Sequence, residues 1–240
     1  GFGNPNVGAK NQQLGLYVQD DWSPTRRLAQ KLGVRWDFET DMVNNDWVTP
    51  DSVRQAVNAY RATLACNGSN PKIEQLCDPS PYLTDGDDRE PFYGAIQPRV
   101  GLSFDVFGSG RTVVFGGYGL YYDRNRYGNT LGEKANLQWT VYSFQFSSDG
   151  LPRGGQPTTI WDDRYLTREG LQEILQSGNA PVPELFLTKN DTRPPKAHQF
   201  STGIRQAFGD YQLSLSYTGV RGYNSFTWIR ANRNANGSCC

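Results

Sequence analysis

Between Leu28 and Glu39 the chain alternates with a period of two. One face reads Leu28, Gln30, Leu32, Val34, Trp36 and Phe38; the other reads Ala29, Lys31, Gly33, Arg35, Asp37 and Glu39. Successive side chains of an extended strand point to opposite sides. A nearly continuous apolar face therefore lies back to back with a face dense in charge. Soluble sheets alternate too, but their outer faces are usually mixed polar. Dense charge behind a greasy face suits a wall with lipid on one side and a wet lumen on the other.

The same pattern recurs at five other places. Leu14, Leu16, Val18 and Trp22 oppose Tyr17, Gln19 and Asp21, and Ile96, Val100, Leu102, Phe104 and Val106 oppose Gln97, Arg99, Ser103 and Asp105. Val114, Gly116, Tyr118, Leu120 and Tyr122 oppose Arg111, Gly117, Gly119 and Asp123. Phe200, Thr202, Ile204 and Phe208 oppose Gln199, Ser201 and Arg205; Tyr211, Leu213, Leu215 and Tyr217 oppose Gln212, Ser214, Ser216 and Thr218. Strands are expected near residues 12–22, 27–39, 95–107, 111–123, 197–208 and 211–223. Each is about 10 residues long, as a tilted membrane-crossing strand requires.

The connections between them alternate in length. Ser23-Pro24-Thr25-Arg26, Gly108-Ser109-Gly110 and Gly209-Asp210 have the chemistry of tight turns. Long connections span residues 40–94 and 124–196, far beyond the loops of an ordinary compact domain. Outer-membrane barrels pair short periplasmic turns with long extracellular loops. The fold expected is all-β: an antiparallel transmembrane β-barrel segment of about six strands in three hairpins, with short helices in the extracellular loops. Trp22, Phe107, Phe208 and Tyr211 flank the turns, while Trp36, Phe38, Tyr121, Tyr122 and Tyr223 sit at the other strand ends, as two aromatic girdles would.

Composition sets the outer bounds. Lys plus Arg is 24 and Asp plus Glu is 24, so the net charge is +0 and no basic surface points to nucleic acid. Mean hydropathy is −0.65, and no run of about 20 apolar residues exists to form a membrane helix. Barrel strands need no such run. On composition alone, with 26 Gly, 6 Trp, 13 Tyr and 12 Phe, a soluble β-sandwich fits equally well. Gly1-Phe2-Gly3-Asn4-Pro5 is not a signal peptide. Asn236 to Cys240 reads like the middle of a loop, so the chain is expected to be a fragment.

The long connections carry their own signals. A helix is expected from Pro50 to about Ala65, with Thr49 as N-cap and Pro50 at the first helical position. A second is expected over Arg168 to Gln176, with Thr167 as N-cap and Gly178 past its end. Residues 136–147 form a β-like run that reads either as a strand or as part of a loop hairpin.

Catalytic chemistry is sparse. The single histidine, His198, opens a strand without partners at the spacing of a zinc site or a Ser-His-Asp triad, and reads as an interfacial side chain. Asp85-Gly86-Asp87-Asp88 has the oxygen density of a calcium site but not its ordered spacing, and reads as a solvated loop tip. Gly116-Gly117-Tyr118-Gly119 lacks the strand-turn-helix setting and lysine of a phosphate loop, which leaves close strand packing. No enzyme activity, cofactor or metal is expected. Cys66 and Cys77 bracket one loop segment, and an exported chain favours their pairing over two free thiols. Closing a loop of this size contributes up to about 3 kcal/mol in the chain-entropy model. Cys239 and Cys240 are vicinal at the end of the chain, and their pairing stays open.

Several segments resemble the barrel of TonB-dependent receptors, especially the Oar-like group that carries a carboxypeptidase-regulatory-like domain. Leu16-Tyr17-Val18-Gln19-Asp20-Asp21-Trp22 resembles the strand end before a periplasmic turn, and Leu32-Gly33-Val34-Arg35-Trp36-Asp37 resembles the family's LGLRYD strand. Gln97-Pro98-Arg99-Val100-Gly101-Leu102-Ser103-Phe104-Asp105 is similar to PRxGFAYD, and Gly116-Gly117-Tyr118-Gly119-Leu120-Tyr121-Tyr122-Asp123 to GGYGIFYD. Ala197-His198-Gln199-Phe200 and Ser216-Tyr217-Thr218-Gly219-Val220-Arg221-Gly222 resemble the last pair. The resemblance implies capture of an unidentified extracellular ligand and energy-coupled passage. The TonB-ExbB-ExbD system would act through a plug and TonB box that this sequence does not contain. It also implies a parent barrel of about 22 strands. Lys31, Arg35, Asp37, Glu39, Arg99, Asp105 and Arg205 would then face the lumen, most of them simply solvating the wall. Two rivals remain: a passive porin or adhesin-type barrel, and a secreted carbohydrate-binding β-sandwich using Trp47, Trp139 and Trp161 to stack on sugars.

Overall fold

In the computed structural model, residues 2–125, 127–140, 142–153, 157–176, 184–229 and 231 are described. Cys239, Cys240 and Gly178 lie outside these residues.

Six long strands form one antiparallel sheet in chain order. They are β1 (Gln13–Thr25), β2 (Leu28–Glu39), β3 (Ala95–Asp105), β4 (Thr112–Tyr122), β5 (Lys196–Phe208) and β6 (Tyr211–Tyr223). Residues directly opposite in an antiparallel pair share a face, and the register carries one apolar face across the whole sheet. Val18 stands opposite Val34, Leu32 opposite Val100, Phe104 opposite Val114, Val114 opposite Ile204, and Ile204 opposite Leu215. No second sheet covers this face among the described residues. Leu215 is 72% exposed, Val18 and Leu213 66%. A β-sandwich buries such a face against a partner sheet, so the sandwich reading fails. Among the described residues β1 and β6 each pair on one side only, and the sheet is open.

The tight turns differ in detail from expectation. β1 runs through Ser23 and Pro24, and the chain reverses at Arg26-Arg27. The register shifts between Trp22 and Thr25. Pro24, which has no N–H to donate, falls inside that irregularity and breaks no regular ladder bond. Thr25 Oγ1 accepts from the N–H groups of Arg27 and Leu28 at 3.2 and 3.1 Å. At the second turn the Asp105 carboxylate accepts from Gly108 N at 3.0 Å and Gly110 N at 2.7 Å. Both glycines have positive φ, 74° and 70°, where a side chain is strained.

Most of the buried apolar residues lie in the connections, not the sheet. The chain divides into two compact units, residues 1–8 with 128–187, and residues 9–127 with 188–240. In the sheet-bearing unit, the connection after β2 folds around Met42, Val43, Val53 and Ile73, all at most 7% exposed. Helix α1 spans Asp51–Arg61 and α2 Pro71–Glu74. The N-cap of α1 is Pro50, not Thr49, and no side chain caps it. Thr49 is turned away: its Oγ1 accepts from Thr84 N at 2.9 Å, in the bridge that closes this loop. The helix stops at Arg61 rather than near Ala65, since Thr63 and Leu64 donate back only three residues, to Tyr60 and Arg61, in tighter turns.

The other unit holds α3 from Gly128 onward; the helix as a whole spans Tyr127–Gln138. Thus 136–138 close a helix, and among the described residues of the β-like run only Trp139–Thr140 and Phe146–Ser147 are strand. Helix α4 (Arg168–Gln176) follows a 3-10 turn, Asp163–Leu166. Thr167 Oγ1 accepts from Gly170 N at 3.1 Å, as an N-cap does. No helix among the described residues is long and apolar enough to cross a membrane.

Candidate functional site

The face opposite the apolar one is polar and hollow. One rung crosses it as Gln19, Gly33, Arg99, Gly119, Gln199 and Val220, each opposite the next. Gly33 and Gly119 flank Arg99, and the room above Gly119 is taken by the Tyr121 ring. The hollow holds about 300 Å³, and Gln19, Lys31, Arg99, Tyr121, Gln199 and Ser201 border it. The Arg99 guanidinium lies over the Tyr121 ring, 4.6 Å from its centroid. Such stacking engages the face of the guanidinium and not its N–H edge. Tyr121 was expected in the outer girdle; the alternation of β4 puts it inside, with its ring over Gly119.

Most of the inner charges are matched within the wall. Arg35 and Asp37 pair at 2.7 Å, and the buried Gln97 amide donates to the same carboxylate while its Oε1 accepts from Tyr122 N at 3.3 Å. Lys31 reaches Asp21 at 3.5 Å. Glu39 accepts from Asn11 at 2.8 Å and pairs with Arg124 at 3.3 Å. Asp105 does not serve the lumen, because the second turn uses both its oxygens. Arg205 stands opposite Val113 and Ser214 at the turn end. Charge pairing of this kind keeps the wall solvated and locally neutral. It does not form a nucleophile with its base, and no cluster of three metal-ligating side chains exists among the described residues.

Above the wall the first long connection is a folded cap. Arg89, 3% exposed, donates to the carbonyls of Val43 and Thr188 at 2.8 and 2.9 Å and to Asn190 Oδ1 at 3.0 Å. Asn190 in turn donates to Leu83 O at 2.8 Å, and its backbone N–H to Pro81 O at 2.7 Å. Neither residue stood out in the sequence; a lone polar residue in a polar loop carries no periodic signal. Cys66 and Cys77 are joined as a disulfide, with Cα atoms 5.8 Å apart. The acidic stretch is partly structural. Asp85 pairs with Arg54, and the Asp88 carboxylate accepts from Asp85 N at 2.9 Å. Ser80, through its hydroxyl and backbone N–H, holds the Asp78 carboxyl below the usual range. Trp36 Nε1 donates to Tyr93 O at 2.8 Å, and Phe38 stacks on Tyr93 at 4.8 Å, which ties the cap to the outer end of β2.

In the other unit, Phe146, Trp161 and Tyr165 form a cluster, with Phe146 edge-on to Trp161 at 5.1 Å and stacked on Tyr165 at 5.4 Å. Trp47 belongs to the sheet-bearing unit and Trp139 and Trp161 to this one.

The family model described as "Outer membrane beta barrel domain" matches residues 1–239. The chain belongs to the outer-membrane β-barrel family. The six-stranded sheet is accordingly a piece of barrel wall, and its home is the Gram-negative outer membrane. Among solved structures it is similar to the outer membrane transporter YddB from Escherichia coli, at 14% identity and a TM-score of 0.41 over 87% of this chain. It is also similar to the siderophore receptor PirA from Pseudomonas aeruginosa, at 11% identity and 0.40 over 88% of this chain. The alcaligin outer membrane receptor FauA from Bordetella pertussis matches at 10% identity and 0.37 over 93%. The chain spans 16%, 23% and 22% of those proteins, respectively. A comparison with curated proteins finds no significant match.

Proposed function

We propose that this barrel wall belongs to a TonB-dependent receptor and lines the route by which a ligand captured at the cell surface is taken up. The reading rests on one combination: six strand motifs resemble that family in order, and their outer ends carry a folded cap rather than a slack loop. The cap, held by Arg89, Asn190 and the Cys66–Cys77 link, is a rigid platform of the kind ligand capture needs. The inner wall, with its paired charges and the Arg99–Tyr121 stack, supplies a solvated lining. No bond-making chemistry is assigned to it; the chain acts as transport wall, not enzyme. The energy-coupling partner is TonB with ExbB and ExbD, acting through a plug and TonB box elsewhere in the full protein.

The test uses the intact protein in a planar bilayer and in detergent with the purified periplasmic domain of TonB. A plugged, TonB-coupled receptor gives no steady conductance and retains the TonB domain. Steady open-channel current with no TonB binding would instead establish the passive porin.

A further inference from the structure

We propose that the outer end of the lipid-facing surface, at Lys196, His198 and Arg221, binds the phosphorylated headgroup of an outer-leaflet lipid. The proposal rests on the membrane placement of the sheet and not on TonB coupling.

Register puts the three side chains together on the greasy face. Arg221 stands opposite His198 and Tyr223 opposite Lys196, with Leu120 and Tyr122 of β4 in the same two rows. All lie at the strand ends away from the tight turns, where the headgroups of the outer leaflet begin. Across the six strands, the apolar face carries no other Lys, Arg or His. Two full cations are gathered at one corner of the lipid-facing wall. Among the described residues no carboxylate lies within 4.0 Å of either Lys196 or Arg221. The phosphates of the outer leaflet lie at this level and carry the opposite charge.

The corner is also preorganised. The Tyr223 ring sits between the cations, 5.9 Å from Lys196 Nζ and 5.2 Å from Arg221 Cζ. It packs edge-on to His198 at 5.5 Å. Tyr118 Oη lies 2.7 Å from His198 Nδ1. With the phenol donating there, Nε2 keeps its N–H for an outward acceptor. A guanidinium fork, an ammonium and an imidazole N–H beside amphipathic rings match phosphate oxygens at an interface. Simple snorkelling would place cations here without selecting phosphate, and the experiment separates the two.

The intact protein in dodecyl maltoside is titrated with diphosphorylated lipid A, with the same lipid after phosphatase treatment, and with inorganic phosphate, and retention is read by native mass spectrometry. Diphosphorylated lipid A should be retained at least tenfold better than the dephosphorylated form. K196Q/R221Q should abolish that preference, while K196R/R221K keeps most of it. Heat-shifted electrophoretic mobility confirms that each variant is a folded barrel. Equal retention of both lipids, or an unchanged preference in folded K196Q/R221Q, would overturn the proposal. So would inorganic phosphate alone binding as tightly as the phosphorylated lipid, which would mark a free-anion site.

Discussion

Arg89 Nε donates to Asn190 Oδ1 at 3.0 Å, across a sequence separation of 101 residues. The contact fastens the cap after β2 to the segment that leads into β5. Replacing Arg89 with Met leaves the carbonyls of Val43 and Thr188 and the Asn190 amide without their buried donor. Each lost partner costs about 1–3 kcal/mol. Hydrogen exchange of residues 40–94 and 188–195 should rise by at least two orders of magnitude in Arg89→Met, while the strands stay protected. Exchange rising equally in β1–β6 would show that cap and wall fold as one.

A second expectation concerns the two faces of the sheet. Cysteine-linked fluorophores at Leu32, Val34, Leu102 and Leu215 should be quenched from within the bilayer, and those at Lys31, Arg35, Ser103 and Ser214 should not. Val100 sits midway along β3 on the apolar face, so Val100→Arg should lower barrel stability by about 2–4 kcal/mol, as for a midplane cation. Quenching of the wrong set would invert the wall.

Gly203 sets a third. A Cβ there would meet Leu215 O at 2.7 Å and the Phe115 ring at 2.6 Å. The ring covers a site on the inner face that only glycine leaves open. Gly203→Val should cost about 1–3 kcal/mol by overpacking, read as a lower unfolding midpoint in urea. Phe115→Ala should recover part of the loss.

The disulfide acts locally. Cys66→Ser/Cys77→Ser should speed proteolysis of the cap and leave the barrel's heat-shifted mobility unchanged, since a loop closed over a separation of 11 residues constrains only its own segment. Loss of the mobility shift would show that the link holds more than the cap.

Asp78 gives a pH signature. Its folded pKa is lowered, first by the Ser80 hydroxyl and then by the Ser80 N–H. A carboxyl of this kind contributes stability above its unfolded pKa, about 3.9, and loses it as pH falls through the lower folded value. Cap stability at neutral pH should therefore include this contribution, and Ser80→Ala should move the Asp78 midpoint upward in an NMR titration.

The strands were legible because a period of two survives any tertiary context when both faces have fixed solvents. Leu32 and Val100 announce lipid; Lys31 and Arg35 announce water. Exact turns were less so: Pro24 suggests a turn by itself, yet an irregular pair lets the strand run past it. The cap was largely hidden. Thr49 resembles an N-cap in isolation, but Thr84, distant in sequence, claims its hydroxyl. Gln97 reads in the sequence as one more polar residue of the inner face, and only strand pairing reveals that it braces Asp37. Tyr121 follows Leu120 by one residue, and that single step moves it from lipid to lumen.

The outer rows of peptide groups on β1 and β6 have no neighbour to bond with in this sheet. Hydrocarbon offers none either, so exposing them there would cost several kcal/mol per group. The outward-facing groups of alternate residues along each flank act as unspent valence: the sector acquires a stable existence in a bilayer only when adjoining strands zip onto both sides. Placed in water instead, the same rims would recruit one another, and isolated copies should stack rim to rim into filaments.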